Sequence, residues 1–162
     1  MMTGRPWRVF LSHTSELREH PPRRSFVGAA EAAVIRAGHA VCDMAYFVPR
    51  DVACAEHCVG MVARSDVYVG IVGVRYGSAT PCRSAPSYVE LEFEIASDLR
   101  LPRLIFLIDE DAPALPPILP SARQVAFRAR LLASSLLVAR VRWPAELELE
   151  LLHALEELRA SV

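Results

Sequence analysis

Three carboxylates alternate along a short apolar stretch: Glu90, Glu92 and Glu94, within Ser87–Leu99. Set Tyr88 at zero on a helical wheel and advance about 100° per residue. Tyr88, Val89, Leu91, Phe93, Ile95, Ala96 and Leu99 then fill one broad arc. Glu90, Glu94 and Asp98 fall on the opposite arc, as a solvated face would. Glu92 does not: it lies near the middle of the apolar arc, one turn after Tyr88 and one turn before Ala96. A carboxylate in that position is costly unless it is paired or lines a cavity. If it is desolvated at a ligand-binding edge, its pKa rises and it is poised for catalysis. Two readings stand: a catalytic carboxylate, or a Glu that pairs with a buried Arg or reaches out to solvent.

Other residues with chemical potential are less specific. Ser12, His13, Thr14 and Ser15 follow an apolar run, and hydroxyls and amides at such a place can hold a phosphate or ribose. The same hydroxyls also suit helix capping. Ser12, His13 and Asp43 supply the types needed for Ser/His/Asp catalysis, but no nucleophile-elbow motif accompanies them. Cys54, His57 and Cys58 share a helical stretch and resemble part of a metal site, with too few ligands and no second cluster. Cys54, Cys58 and Met61 also continue an apolar stripe, so core packing is the expectation and no metal is expected. No G-x-G-x-x-G follows the first apolar run, so a dinucleotide held in the Rossmann manner is not indicated.

The elements that must position these residues alternate in type. Trp7–Ser12 reads as a strand, His13–Arg24 as a loop or broken helical turn, and Phe26–Ala37 as a helix closed by Gly38. Ala40–Met44 reads as a strand, Tyr46–Asp51 as a loop, Val52–Arg64 as a helix, and Asp66–Val72 as a strand buried on both faces. Gly73–Pro86 is a long loop. Ser87 is a candidate N-cap for the helix that ends near Leu99. Leu104–Ile108 is a buried strand, and Asp109–Pro120, with four prolines, is irregular. Ala122–Ala133 reads as helix, Leu136–Val141 as strand and Pro144–Ala160 as the last helix. Such alternation predicts an α/β fold, a parallel sheet with helices on both faces and strand order 2-1-3-4-5. The chain is expected to be one domain over 1–162, with its core at about 8–141 and a C-terminal helix at 144–160. Ligands on such sheets bind outside the carboxyl ends of the strands.

Composition narrows the function classes. Apolar residues make up 52% of the 162 residues and the net charge is -1, so a globular core is expected and a nucleic-acid partner is not. All 18 cationic residues are Arg. This removes a lysine Schiff base, a phosphate-loop lysine and a receiver-type lysine. No signal peptide or membrane-spanning run is evident, and the four cysteines have no framework spacing. A cytoplasmic protein with reduced thiols and no membrane partner is the expectation.

Several of these segments together resemble a known family. Val9-Phe10-Leu11-Ser12-His13-Thr14-Ser15 looks like the opening strand and loop of Toll/interleukin-1 receptor (TIR) domains, Asp66–Val72 like their central strand, and Tyr88–Ala96 like their active-site helix. More closely, the sequence is similar to a bacterial TIR-like domain of unassigned function, often found at the N-terminus of STAND-type NTPases. The marks are Phe-Leu-Ser-x-Thr-Ser-x-Leu-Arg-Glu, Asp-Val-Tyr-Val-Gly-Ile-x-Gly-x-Arg-Tyr-Gly-Ser, Ser-Tyr-x-Glu-Leu-Glu-Phe-x-x-Ala and Pro-Arg-Leu-Ile-Phe-Leu-Ile-Asp. The likeness is clearest from Arg8 to Asp111.

The resemblance implies a flavodoxin-like, five-stranded parallel sheet. It also implies an NAD glycohydrolase of bacterial immunity or signalling that releases nicotinamide and is activated by self-association through TIR–TIR contacts. NAD would be substrate, with no separate cofactor. Glu92 would be the essential carboxylate, with Tyr88 four before it and Ala96 four after; Glu90 is the runner-up if the alignment slips by two. Ser12, His13, Thr14, Ser15, Tyr46, Phe47, Arg50, Tyr76 and Tyr88 would bind substrate, with the nicotinamide stacking near Tyr46, Phe47 or Tyr76. The loop Tyr46–Asp51 would cover the site, and a STAND-type NTPase module would be a partner in the same natural chain. Two other functions fit the same residues: a non-catalytic TIR-like adaptor, and a related hydrolase that cleaves the base from a nucleoside or nucleotide.

Overall fold

The computed structural model describes residues 4–43, 54–77 and 87–162, without the side chains of Cys54 and Ala55. Five strands form one sheet: β1 (Arg8–Ser12), β2 (Ala40–Asp43), β3 (Val67–Val72), β4 (Arg103–Ile108) and β5 (Val138–Val141). Every pairing is parallel and the order is β2-β1-β3-β4-β5. The fold is therefore the α/β, flavodoxin-like arrangement that the strand–helix alternation predicts. Parallel strands need crossovers, and helices make them here.

Side chains alternate across the sheet, as a pleated strand requires. Val9, Leu11, Val69 and Ile71 face one side, under α2 (Phe26–Arg36) and α6 (Pro144–Ala160). Phe10, Tyr68 and Val72 face the other, under α3 (Cys54–Ala63), α4 (Tyr88–Asp98) and α5 (Ala122–Ala133). All six residues of β3 are buried, which explains its uninterrupted apolar run. Trp7 stacks on His39 beneath Arg159, closing the opposite end of β1.

Local signals set the helix ends. Ser25, Ser87 and Ser121 each cap a helix by accepting an N–H three residues on. Gly38, at φ +80, turns the chain out of α2, with the His39 N–H donating back to the Val34 carbonyl. In the first crossover, the segment read as a loop or broken helical turn holds a four-residue helix, α1 (Glu16–Glu19). Leu17 drops from it into the core, which anchors the segment that enters the site. The proline-rich Asp109–Pro120 segment lacks regular structure but buries Ala112 and Ala114. Among the described residues, no helix is long and apolar enough to cross a membrane.

Candidate functional site

The order β2-β1-β3 puts the carboxyl ends of β1 and β2 side by side, with Leu11 of β1 opposite Asp43 of β2. The order in which strands are added reverses about β1, so ligands are expected outside these ends. A cleft of about 360 Å³ opens there. Among the described residues its lining is Leu11, His13, Ser15, Arg18, Glu19, Asp43 and Glu92.

Glu92 enters the cleft from α4. Val89, Glu92, Phe93 and Ala96 form that helix's buried stripe, so the carboxylate takes a core position, as the wheel places it. Glu92 is only 4% exposed. Among the described residues its carboxyl has neither a hydrogen-bond partner nor a counter-ion. Burial pushes its pKa well above the ordinary carboxylate value, and the nearby negative charge of Asp43 pushes it the same way.

Asp43 has the opposite surroundings. It is the last residue of β2 and is 2% exposed. Its Oδ2 lies 2.7 Å from His13 Nε2 and 2.7 Å from Arg18 Nη2. His13 Nδ1 lies 2.9 Å from the Thr14 carbonyl, which fixes the ring. Arg18 Nη1 donates to Glu31 Oε1 of α2 at 2.8 Å. The cleft thus holds two buried carboxyls, one gripped by nitrogen donors and one without them.

Beneath Glu92, the Tyr68 ring packs between Phe10 and Phe93. Its hydroxyl is held well above the usual phenol pKa by burial and by Glu92. The Ser12 hydroxyl is fully buried beside the Tyr68 hydroxyl. It also takes no part in the His13–Asp43 contact, so Ser12, His13 and Asp43 do not assemble as a nucleophilic triad.

The structure gathers some of the sequence-selected residues and separates others. His13, Ser15 and Glu92 meet in the cleft. Thr14 instead donates to Glu16 Oε1 at 2.6 Å. Tyr76 does not reach the described cleft lining. Its hydroxyl donates to Glu90 Oε2 at 2.5 Å and accepts the Ser87 N–H at 3.1 Å, which ties the Gly73–Gly77 segment to the start of α4. Glu90 is therefore not on a solvated face. Arg130 of α5 donates to its other oxygen at 3.0 Å and covers it. The wheel could not register that cover because it comes from another helix. Tyr88 is half-buried at the first position of α4, outside the described lining. Tyr46, Phe47 and Arg50 lie outside the described residues.

Leu11, Arg18, Glu19 and Asp43 join the site without having been selected as substrate contacts. Asp43 had a signal, since it is the polar residue that ends the strand beside β1. Arg18 and Glu19 had none, because a helix of four residues carries no periodicity. Cys42 and Cys58 are in no disulfide among the described residues, Cys58 lies in the core, and no group of three or more His, Cys, Asp or Glu among the described residues could hold a metal ion.

Residues 8–156 match the model of the family described as Domain of unknown function (DUF4062). The chain belongs to that family. None of the curated proteins matches this DUF4062 chain. Among solved structures it is similar to the Clostridium botulinum CMP N-glycosidase BcmB, with a TM-score of 0.50 and 15% identity over 96% of this chain and 99% of that one. That likeness is one of fold. The TIR domains of the activated Roq1 resistosome align with a TM-score of 0.49 and 19% identity, over 94% of this chain and 82% of that one.

Proposed function

We propose that this DUF4062 chain is a TIR-like hydrolase of N-ribosyl bonds, that NAD is its substrate, and that Glu92 is its catalytic residue. The observation that carries the reading is a carboxyl 4% exposed, without a counter-ion among the described residues, lining a cleft at the carboxyl end of the sheet. Such placement costs stability and is met chiefly where a carboxyl has chemical work.

In this reading the nicotinamide ribose lies against Glu92. The C1′–N1 bond breaks, and its electron pair neutralises the pyridinium ring. Positive charge develops on the ribosyl group, and the Glu92 carboxylate stabilises it in a dry site. Water then adds at C1′ and loses a proton to solvent. The pyridinium itself favours the ionised form of Glu92 when it arrives, because an opposite charge nearby lowers a carboxyl pKa.

A second reading is supported by the neutral form that burial favours for Glu92 in the free protein. A protonated carboxyl suits a neutral base, which must gain a proton as it leaves. BcmB, the similar fold, is named a CMP N-glycosidase, and this chain would then act on a nucleotide of that kind. Self-association is proposed as the activating event, and a STAND-type module as a partner in the natural chain. The deciding experiment incubates concentrated protein with NAD, then with a panel of nucleoside monophosphates, and measures free nicotinamide or free base. Release from none of them leaves the adaptor role and refutes the hydrolase.

A further inference from the structure

Glu92 faces a charged surround with a marked asymmetry. From the segment after β1 come His13, Arg18 and Glu19, and from β2 comes Asp43. From below come Tyr68 of β3 and, beyond it, Cys58 of α3. Behind the cleft, Glu31 of α2 holds the second nitrogen of Arg18. The His13 ring and the Arg18 guanidinium both converge on one oxygen of Asp43 at 2.7 Å. Both carboxyls are more than nine-tenths buried in one cleft, so water screens them poorly. Two like charges confined in this way do not ionise together easily, and the one held by the Arg18 guanidinium and the His13 ring keeps its charge.

We propose that Asp43 is the positioning residue of this site: its negative charge, anchored by His13 and Arg18, keeps the proton on Glu92 in the free protein. The two carboxyls then have separate roles. Asp43 is a fixed charge that does not move during turnover, and Glu92 is the group whose proton state changes when substrate enters. The pairing sets the threshold a substrate must cross. A ligand that brings positive charge to Glu92 displaces its proton, and an uncharged base meets it protonated. The inference rests on Glu92 being the reactive carboxyl, yet its primary test needs no substrate.

The test follows the protonated Glu92 carboxyl by infrared difference spectroscopy, as wild type minus Glu92→Gln, across a pH series of the full chain. Asp43→Asn removes the charge and keeps the shape. The Glu92 midpoint should fall, with proton affinity down by about tenfold or more. Asp43→Glu keeps the charge and should hold the midpoint near wild type. Arg18→Gln strips one cation from Asp43 and should move the midpoint up. An Asp43→Asn midpoint equal to wild type, or higher, overturns the proposal. If Asp43→Asn does not fold, an unmoved midpoint in Arg18→Gln overturns it instead. Wherever wild type turns over a substrate, the pH–rate limb should move with the spectroscopic midpoint. Absence of turnover with all substrates counts against the hydrolase reading, and the titration still decides the role of Asp43.

Discussion

Replacing Glu92 by Gln should damage activity and improve stability in the same molecule. Gln keeps nearly the same volume and removes the ionisable group. Losing one charge-stabilising group at a reacting centre typically costs about 10²–10³ in turnover, so nicotinamide release at saturating NAD should fall by that factor. The stability side follows from linkage. Burial raises the folded-state pKa of Glu92 above its ordinary value. The unfolded chain therefore gives up this proton first, and wild-type stability falls as pH rises from the ordinary Glu range up to the raised folded pKa. The loss is about 1.4 kcal/mol for each pH unit crossed, and it levels off above the folded pKa. Gln has no such penalty. Urea unfolding of both proteins at acidic and at neutral pH should show near-equal stability in acid and a more stable Glu92→Gln at neutral pH. A substitution at an ordinary packed position would lower stability and leave the chemistry alone. Unchanged turnover refutes the catalytic assignment. Lower stability of Glu92→Gln at neutral pH refutes the description of Glu92 as a carboxyl that burial destabilises.

The direction of the pH dependence separates the two substrate classes. If the leaving group is a pyridinium, the active form is ionised, and kcat/KM should rise as pH passes through the raised Glu92 pKa of the free protein. The kcat limb should lie lower, because bound pyridinium favours the carboxylate. If the leaving base is neutral, rates should fall through the same pKa, and the pH–rate profile reads the sign directly. Glu90→Gln should leave turnover within a few-fold, since Glu90 is occupied by Tyr76 and Arg130 outside the described cleft lining; a loss as large as that of Glu92→Gln would transfer the catalytic role to it. Gly77→Ala should destabilise by about 1–3 kcal/mol in urea unfolding. Gly77 has φ +89, and a Cβ there would stand 2.8 Å from Thr14 Cγ2. Unchanged stability would mean that this turn relaxes freely.

Much of the scaffold was legible because its signals are local. The uninterrupted apolar run of β3, the Ser87 cap of α4 and the turn at Gly38 are each readable within a few residues. Their alternation restricts the topology, since parallel strands require crossovers of fixed hand. The position of Glu92 on an apolar face follows from helical period alone. Whether His13–Arg24 was a loop or a broken helical turn stayed open, because the short helix at Glu16–Glu19 is held by Leu17 in the core rather than by helix propensity.

Periodicity says which way a residue points, and only neighbours say what it meets there. Glu90 and Glu92 are two residues apart on one helix, and the chain alone determined that they face different ways. That Glu90 lies under Arg130 and Tyr76 depended on α5 crossing beside α4. That Glu92 meets a cleft with Asp43, His13 and Arg18 depended on β2 lying beside β1, which brings Arg18 and Asp43, 25 positions apart, to 2.7 Å. The sequence by itself therefore determined the layers, the strand order and a carboxylate on the wrong side of a helix. The tertiary structure decided which carboxyls are paired and which stand alone, because pairing and desolvation are properties of contacts between elements that no local pattern records.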